Sequence, residues 1–124
     1  RAAATQQLPK TPAVFLQSTR YTLGTAVTCE GIVAGGVSGK LMLAATQITF
    51  GEEPADLQLA FDRLDKAIAP LRSATALVTS LYASSRAIAD KARALAPAAT
   101  TSRFVEGLQA PDATLAVEAV IPIP

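Results

Sequence analysis

Apolar and small residues return at intervals of three and four from residue 54 to 97. They are Leu57, Phe61, Leu64, Ile68, Leu71, Thr75, Val78, Tyr82, Ser85, Ile88, Ala92 and Leu95. This is the period of a helix face, held for about ten turns. The charges fall off the stripe, at Asp56, Asp62, Arg63, Asp65, Lys66, Arg72, Arg86, Asp90, Lys91 and Arg93. Glu52 and Glu53 precede Pro54, which places acids at the positive helix end and proline in the first turn. Pro97 marks the stop, with Lys91 and Arg93 near the negative end. Pro70 lies inside the pattern, where it removes a backbone donor and crowds the Lys66 carbonyl at a cost of about 3 kcal/mol. The stripe keeps its phase across Pro70, so the pattern predicts one long kinked helix in preference to two helices joined at 69–71.

The remaining segments are less periodic. Residues 13–50 fit one or two helices, with Leu41, Ala45 and Ile48 on one stripe. They also fit strands, because Met42, Ala44, Thr46, Ile48 and Phe50 alternate. Ser102, Phe104, Val105 and Gly107 suit a short capped helix over 102–107. After Pro111 the chain is apolar and extended in character, with Leu115, Val117, Ala119, Ile121 and Ile123 on one strand face. Pro122 and Pro124 confine that strand to an edge or a polyproline-like end.

The pattern therefore predicts an all-α fold, in which a long kinked helix at about 54–97 packs on one or two helices from 13–50 and the C-terminal tail is extended. The alternative is α+β, with strands near 21–29, 41–50 and 114–121. The expected organisation is a flexible arm over 1–12, a single helical domain over 13–110 and an apolar tail over 111–124.

Composition sharpens this picture. Half of the 124 residues are apolar while aromatics supply only 5%. Alanine is abundant, and it favours helices while burying little area per residue. Eleven basic residues stand against ten acidic ones. That balance argues against a nucleic-acid partner, since phosphate recognition needs a basic excess. Histidine is absent and Cys29 is the single cysteine. The commonest general base and metal ligand is thus missing, and so is any internal disulfide, so neither cofactor nor metal is expected. The chain starts at Arg1, which suggests processing of an exported or organellar protein, or a cloning boundary.

Each candidate motif has a plain structural explanation. Gly31, Gly35 and Gly39 recur every four residues, as in a close-packing helix stripe or a membrane association motif. Glu30 and Lys40 bracket that segment, which is shorter than the roughly 20 apolar residues of a span. Gly39 and Lys40 approach a phosphate-binding loop, yet Leu41 stands where Ser or Thr would hold magnesium. The acids around Asp62 alternate with Arg63 and Lys66 as on a solvated helix face. Glu30 is the acid whose apolar neighbours suggest a perturbed environment. Serines and threonines on the long stripe lack a base to activate them.

The function expected from these features is that of a non-enzymatic structural or interaction protein, an accessory subunit or helical scaffold of a larger assembly. The expected partner is another protein chain, in a hetero- or homo-oligomer. Its contact or packing face would be Leu57, Phe61, Leu64, Ile68, Leu71, Val78, Tyr82, Ile88 and Leu95, with Gly31, Gly35 and Gly39 as close-packing glycines. One alternative is a membrane-associated or envelope protein that uses the glycine segment. The other is a small-ligand binder or cofactorless enzyme with a pocket near Glu30.

Overall fold

The computed structural model describes Gln6 and residues 40–71, 78–98 and 101–123. Its elements in chain order are β1 (Lys40–Thr49), α1 (Pro54–Ile68), a 3-10 turn (Ala69–Leu71), β2 (Val78–Ala83), α2 (Arg86–Leu95), β3 (Thr101–Phe104) and β4 (Leu115–Ile123). The strands form one sheet in the order β1-β4-β2-β3. β4 runs antiparallel to β1 and β2, while β2 and β3 are parallel and joined through α2. This is an α+β architecture, with two helices packed on one face of a mixed sheet.

The all-α expectation is therefore corrected. The long kinked helix does not exist: α1 ends at Ile68, Pro70 lies in the 3-10 turn, and the chain returns as strand β2 before α2 begins. Proline terminates the helix here because no later turn of the same helix compensates for the lost hydrogen bond. The stripe kept its phase because Val78 and Tyr82 satisfy an i,i+4 spacing and also lie on one face of a strand. The short helix expected at 102–107 is likewise replaced, by β3 at Thr101–Phe104. Of the strands in the alternative, those near 41–50 and 114–121 correspond to β1 and β4. The segment 21–29, most of the arm at 1–12, Cys29, Glu30 and Gly31, Gly35 and Gly39 lie outside the described residues.

The core lies between the helices and one face of the sheet. Leu57, Ala60, Phe61 and Leu64 from α1 and Ile88, Ala89 and Ala92 from α2 meet Leu81 and Ala83 of β2, Ala44 of β1, and Leu115, Val117, Ala119 and Ile121 of β4. Ile68, Leu71 and Leu95 pack at its margin. The abundance of alanine thus marks close packing of helix on sheet as well as helix propensity, since Ala44, Ala83 and Ala119 are nearly inaccessible strand residues.

Local signals start both helices, the first where the pattern predicts it and the second at a position inside the expected long helix. Pro54 opens α1, and the Glu53 backbone N–H donates to Asp56 Oδ2 at 3.2 Å. A Cβ on Gly51 would collide with the Asp56 side chain, so the approach of this turn to the helix start requires glycine. Ser85 caps α2, its Oγ accepting from the Ile88 N–H at 3.3 Å. Thr114 ties the turn after β1 to the start of β4: its N–H donates to the Thr49 carbonyl at 2.9 Å and its hydroxyl to the Gly51 carbonyl at 2.5 Å.

β4 lies in the interior of the sheet despite Pro122. It pairs with β2 from Leu115 to Val120 and with β1 from Leu115 to Ile123. Pro122 thus sits beyond the last residue that pairs with β2, where a missing N–H breaks no ladder on that side.

Candidate functional site

β4 alternates strictly, so Val117 and Ala119 face the helices and Glu118 faces away from them. Glu118 is only 5% exposed, in the middle of an interior strand. Burying an ionised carboxylate costs several kcal/mol unless donors replace its water. The flanking strands supply those donors. Tyr82 of β2 donates its Oη proton to Glu118 Oε1 at 2.8 Å, and Thr46 of β1 donates from Oγ1 to Oε2 at 3.2 Å.

A bulge in β1 brings Thr46 to this position. The register passes from Ala44 opposite Ala119 to Gln47 opposite Val117, so Ala45 and Thr46 together face Glu118. One extra residue in a strand reverses the faces that follow it. Ala44 therefore lies in the core while Thr46, two residues on, reaches the carboxylate on the opposite face.

The cluster extends across the other half of the sheet. Ser80 is paired with Glu118 on one side and with Thr101 on the other, which sets three polar residues in one row. Thr101 Oγ1 donates to Ser80 Oγ at 2.9 Å. Arg103 is the register partner of Tyr82. The Tyr82 phenol is pushed up to about 12, first by burial and then by its hydrogen bond to Glu118 and that group's charge. The hydrogen bond to Ser80 and the charge of Arg103 act in the opposite direction. Polar residues from all four strands thus converge on one face, with the buried acid at the centre and exposed Arg103 at the rim.

The residues expected to form a partner-binding or packing face divide between the core and the sheet. Leu57, Phe61, Leu64 and Ile88 are buried between helices and sheet, and Ile68, Leu71 and Leu95 pack beside them. Val78 and Tyr82 belong to β2, and Tyr82 joins the polar cluster. Sequence reasoning missed Glu118, Thr46, Ser80, Thr101 and Arg103 as a group. A signal for Glu118 was present: within Leu115 to Ile121 it is a lone acid whose neighbours on its own face, Ala116 and Val120, are apolar.

Among the described residues, no group of three or more His, Cys, Asp or Glu side chains could hold a metal ion. No helix among them is long and apolar enough to cross a membrane.

No family model matches the chain, and no curated protein matches it in sequence. Among solved structures, the chain is similar to the crystal structure of Rv2704 from Mycobacterium tuberculosis, a member of the highly conserved YjgF/YER057c/UK114 family. The two share 20% identity with a TM-score of 0.52, over 90% of this chain and 100% of the other. At that identity the likeness is one of fold. It removes the basis of the helical-scaffold function, which required a continuous helix presenting its stripe to a partner. The stripe residues instead build the core of an α+β domain, so the chain is neither mainly helical nor a helical structural subunit. The chain has the fold of a YjgF/YER057c/UK114 protein.

Proposed function

We propose that the protein binds a small polar molecule on the sheet face that carries Glu118. The observation behind this reading is the carboxylate itself, buried in an interior strand and held by hydroxyls from both flanking strands. An apolar residue would fill that position at lower desolvation cost, so the buried acid is not explained by stability alone. The acid that suggested a pocket from sequence, Glu30, lies outside the described residues; among those described, Glu118 is the buried acid that supports the reading. An ionised carboxylate has about four lone-pair sites. Two of its bonds are made by Tyr82 and Thr46, which leaves acceptor capacity for N–H or O–H groups of a ligand. Arg103 supplies a cation at the rim for an acceptor group of the same molecule. The reading is one of binding alone, without turnover.

A thermal-shift screen of small amines, amides and hydroxy acids tests it. Compounds that stabilise the wild type should lose most of that effect on Glu118→Gln. Equal stabilisation of both proteins, or of neither by any compound, would overturn the reading.

We also propose a homo-oligomer as the protein partner. Proteins of the YjgF/YER057c/UK114 family are commonly trimers, and the shared fold supports the same assembly here. Light scattering should give a mass of roughly three chains; a strict monomer at high concentration would count against it.

A further inference from the structure

Among the described residues, the large apolar side chains left exposed are Phe50, Leu59 and Phe104. Leu59 lies on α1, whereas the two phenylalanines lie at strand ends. Phe50 follows the last residue of β1 and is 58% exposed; Phe104 is the last residue of β3 and is 47% exposed. β1 is antiparallel to β4, β4 is antiparallel to β2, and β2 is parallel to β3, so β1 and β3 run in the same direction. Phe50 and Phe104 therefore lie at the same end of the sheet, on the first and last of its described strands. Three strand spacings separate them, about 14 Å.

The turn that carries Phe50 is pinned from several sides. Arg63 donates to the Ile48 carbonyl at 3.0 Å, and Lys91 Nζ donates to the Glu52 carbonyl at 2.9 Å. The Thr114 hydroxyl donates to the carbonyls of Thr49 and Gly51, and its oxygen accepts from the Gly51 N–H at 3.3 Å. An aromatic side chain on so fixed a turn gives up little freedom on entering a contact, which is how a binding anchor is preorganised. The two edges also differ in charge. Exposed Glu52 and Glu53 follow Phe50, and the cations Arg63 and Lys91 are turned onto the backbone of the turn. At the other edge the Arg86 guanidinium stands over the Phe104 ring, 5.8 Å from its centroid. Exposed Arg103 precedes Phe104, and Glu106 follows beyond buried Val105, which leaves basic charge in excess there.

We infer that Phe50 and Phe104 are the two halves of one contact between copies of this chain, in which the acid-flanked Phe50 turn of one copy packs against the arginine-flanked Phe104 edge of the next. Pairing Phe50 with Phe50 would set Glu52 and Glu53 against their own counterparts, whereas pairing it with Phe104 sets them against Arg86 and Arg103. Two different patches on opposite edges make a head-to-tail contact, which closes into a ring when the rotation between copies returns to its start. Rotation about an axis along the strands preserves height on that axis, and the two phenylalanines share one height. The inference rests on the homo-oligomer proposed above and assigns its contact residues.

Sedimentation velocity of the full chain over a range of concentrations tests it. Phe50→Ser and Phe104→Ser should each raise the dissociation midpoint roughly 30-fold or more, the loss expected of a central aromatic anchor. Leu59→Ser should leave the midpoint unchanged. Mixing the Phe50→Ser and Phe104→Ser chains should give a pair, because one intact contact remains between them, at a concentration where neither variant associates alone. Glu52→Arg should also weaken assembly, and Arg86→Glu in the same chain should restore part of it. An oligomeric wild type matched by both serine variants would overturn this contact and leave the oligomer standing. A monomeric wild type would overturn both. Should a serine variant fail to fold by circular dichroism, Glu52→Arg decides alone, and an unchanged midpoint in that variant overturns the inference.

Discussion

Glu118 and Tyr82 illustrate how a single residue pair couples strand chemistry to stability. The phenol donates to a buried carboxylate, and hydrogen bonds to charged groups contribute more than neutral ones. Tyr82→Phe should therefore cost about 1–2 kcal/mol in urea unfolding at neutral pH, toward the lower end because the phenol is only half-buried. The pH dependence has a definite sign. Tyr82 ionises near its ordinary value of 10 in the unfolded chain and near 12 when folded. Its contribution is fully present below pH 10 and is lost as pH rises towards 12, because the unfolded chain releases the proton first. Over that window the wild type should lose stability faster than Tyr82→Phe. Parallel curves for the two proteins would show that the pair is not coupled to folding. None of this follows from Tyr82 as a residue on a stripe; its role is set by the acid on the neighbouring strand.

At the scale of elements, the segment Val78–Ala83 shows why the helix stripe misled. Val78 and Tyr82 are four apart, as on a helix, while Leu81 and Ala83 alternate with Ser80 and Tyr82, as on a strand. Six residues cannot distinguish the two periods. The strand is selected because Leu81 and Ala83 enter the core, while the backbone pairs with β3 and β4. In β1 the sequence alternates without interruption, yet the bulge reverses the faces after Ala44. The start of α1 was easier to read, since its acids and proline are local. Ser85 was legible only as a member of the stripe, and its actual position is the N-cap of α2. Ser85→Ala should cost about 1 kcal/mol and speed amide exchange in the first turn of α2. Unaltered exchange at Ile88 would show that its bond to Ser85 contributes nothing.

For the molecule as a whole, the decisive feature is that one sheet face is covered by helices and the other carries polar residues from every strand. Leu81 separates this architecture from the helical alternative. It lies off the helix stripe, so a stripe-based packing face would leave it peripheral, yet it is fully buried in the structure. Leu81→Ala should cost about 2–5 kcal/mol by equilibrium unfolding, against a few tenths for Leu59→Ala on the exposed side of α1. Similar small effects for both would contradict the sheet-centred core.

What the sequence determined by itself was local: the acid and proline start of α1, the apolar, extended character of 115–123, and the absence of histidine from any chemistry. These depend on neighbours within a few residues, and the chain carries them openly. Tertiary structure decided which periodic segment became strand or helix, that β4 lies between β1 and β2, and that Thr46, Ser80, Tyr82, Thr101 and Glu118 meet on one face. That meeting joins Thr46 and Glu118 across 72 positions of chain. It depends on strand order, register and a single bulged residue, which are set by the competition of whole faces for one core and not by any local preference.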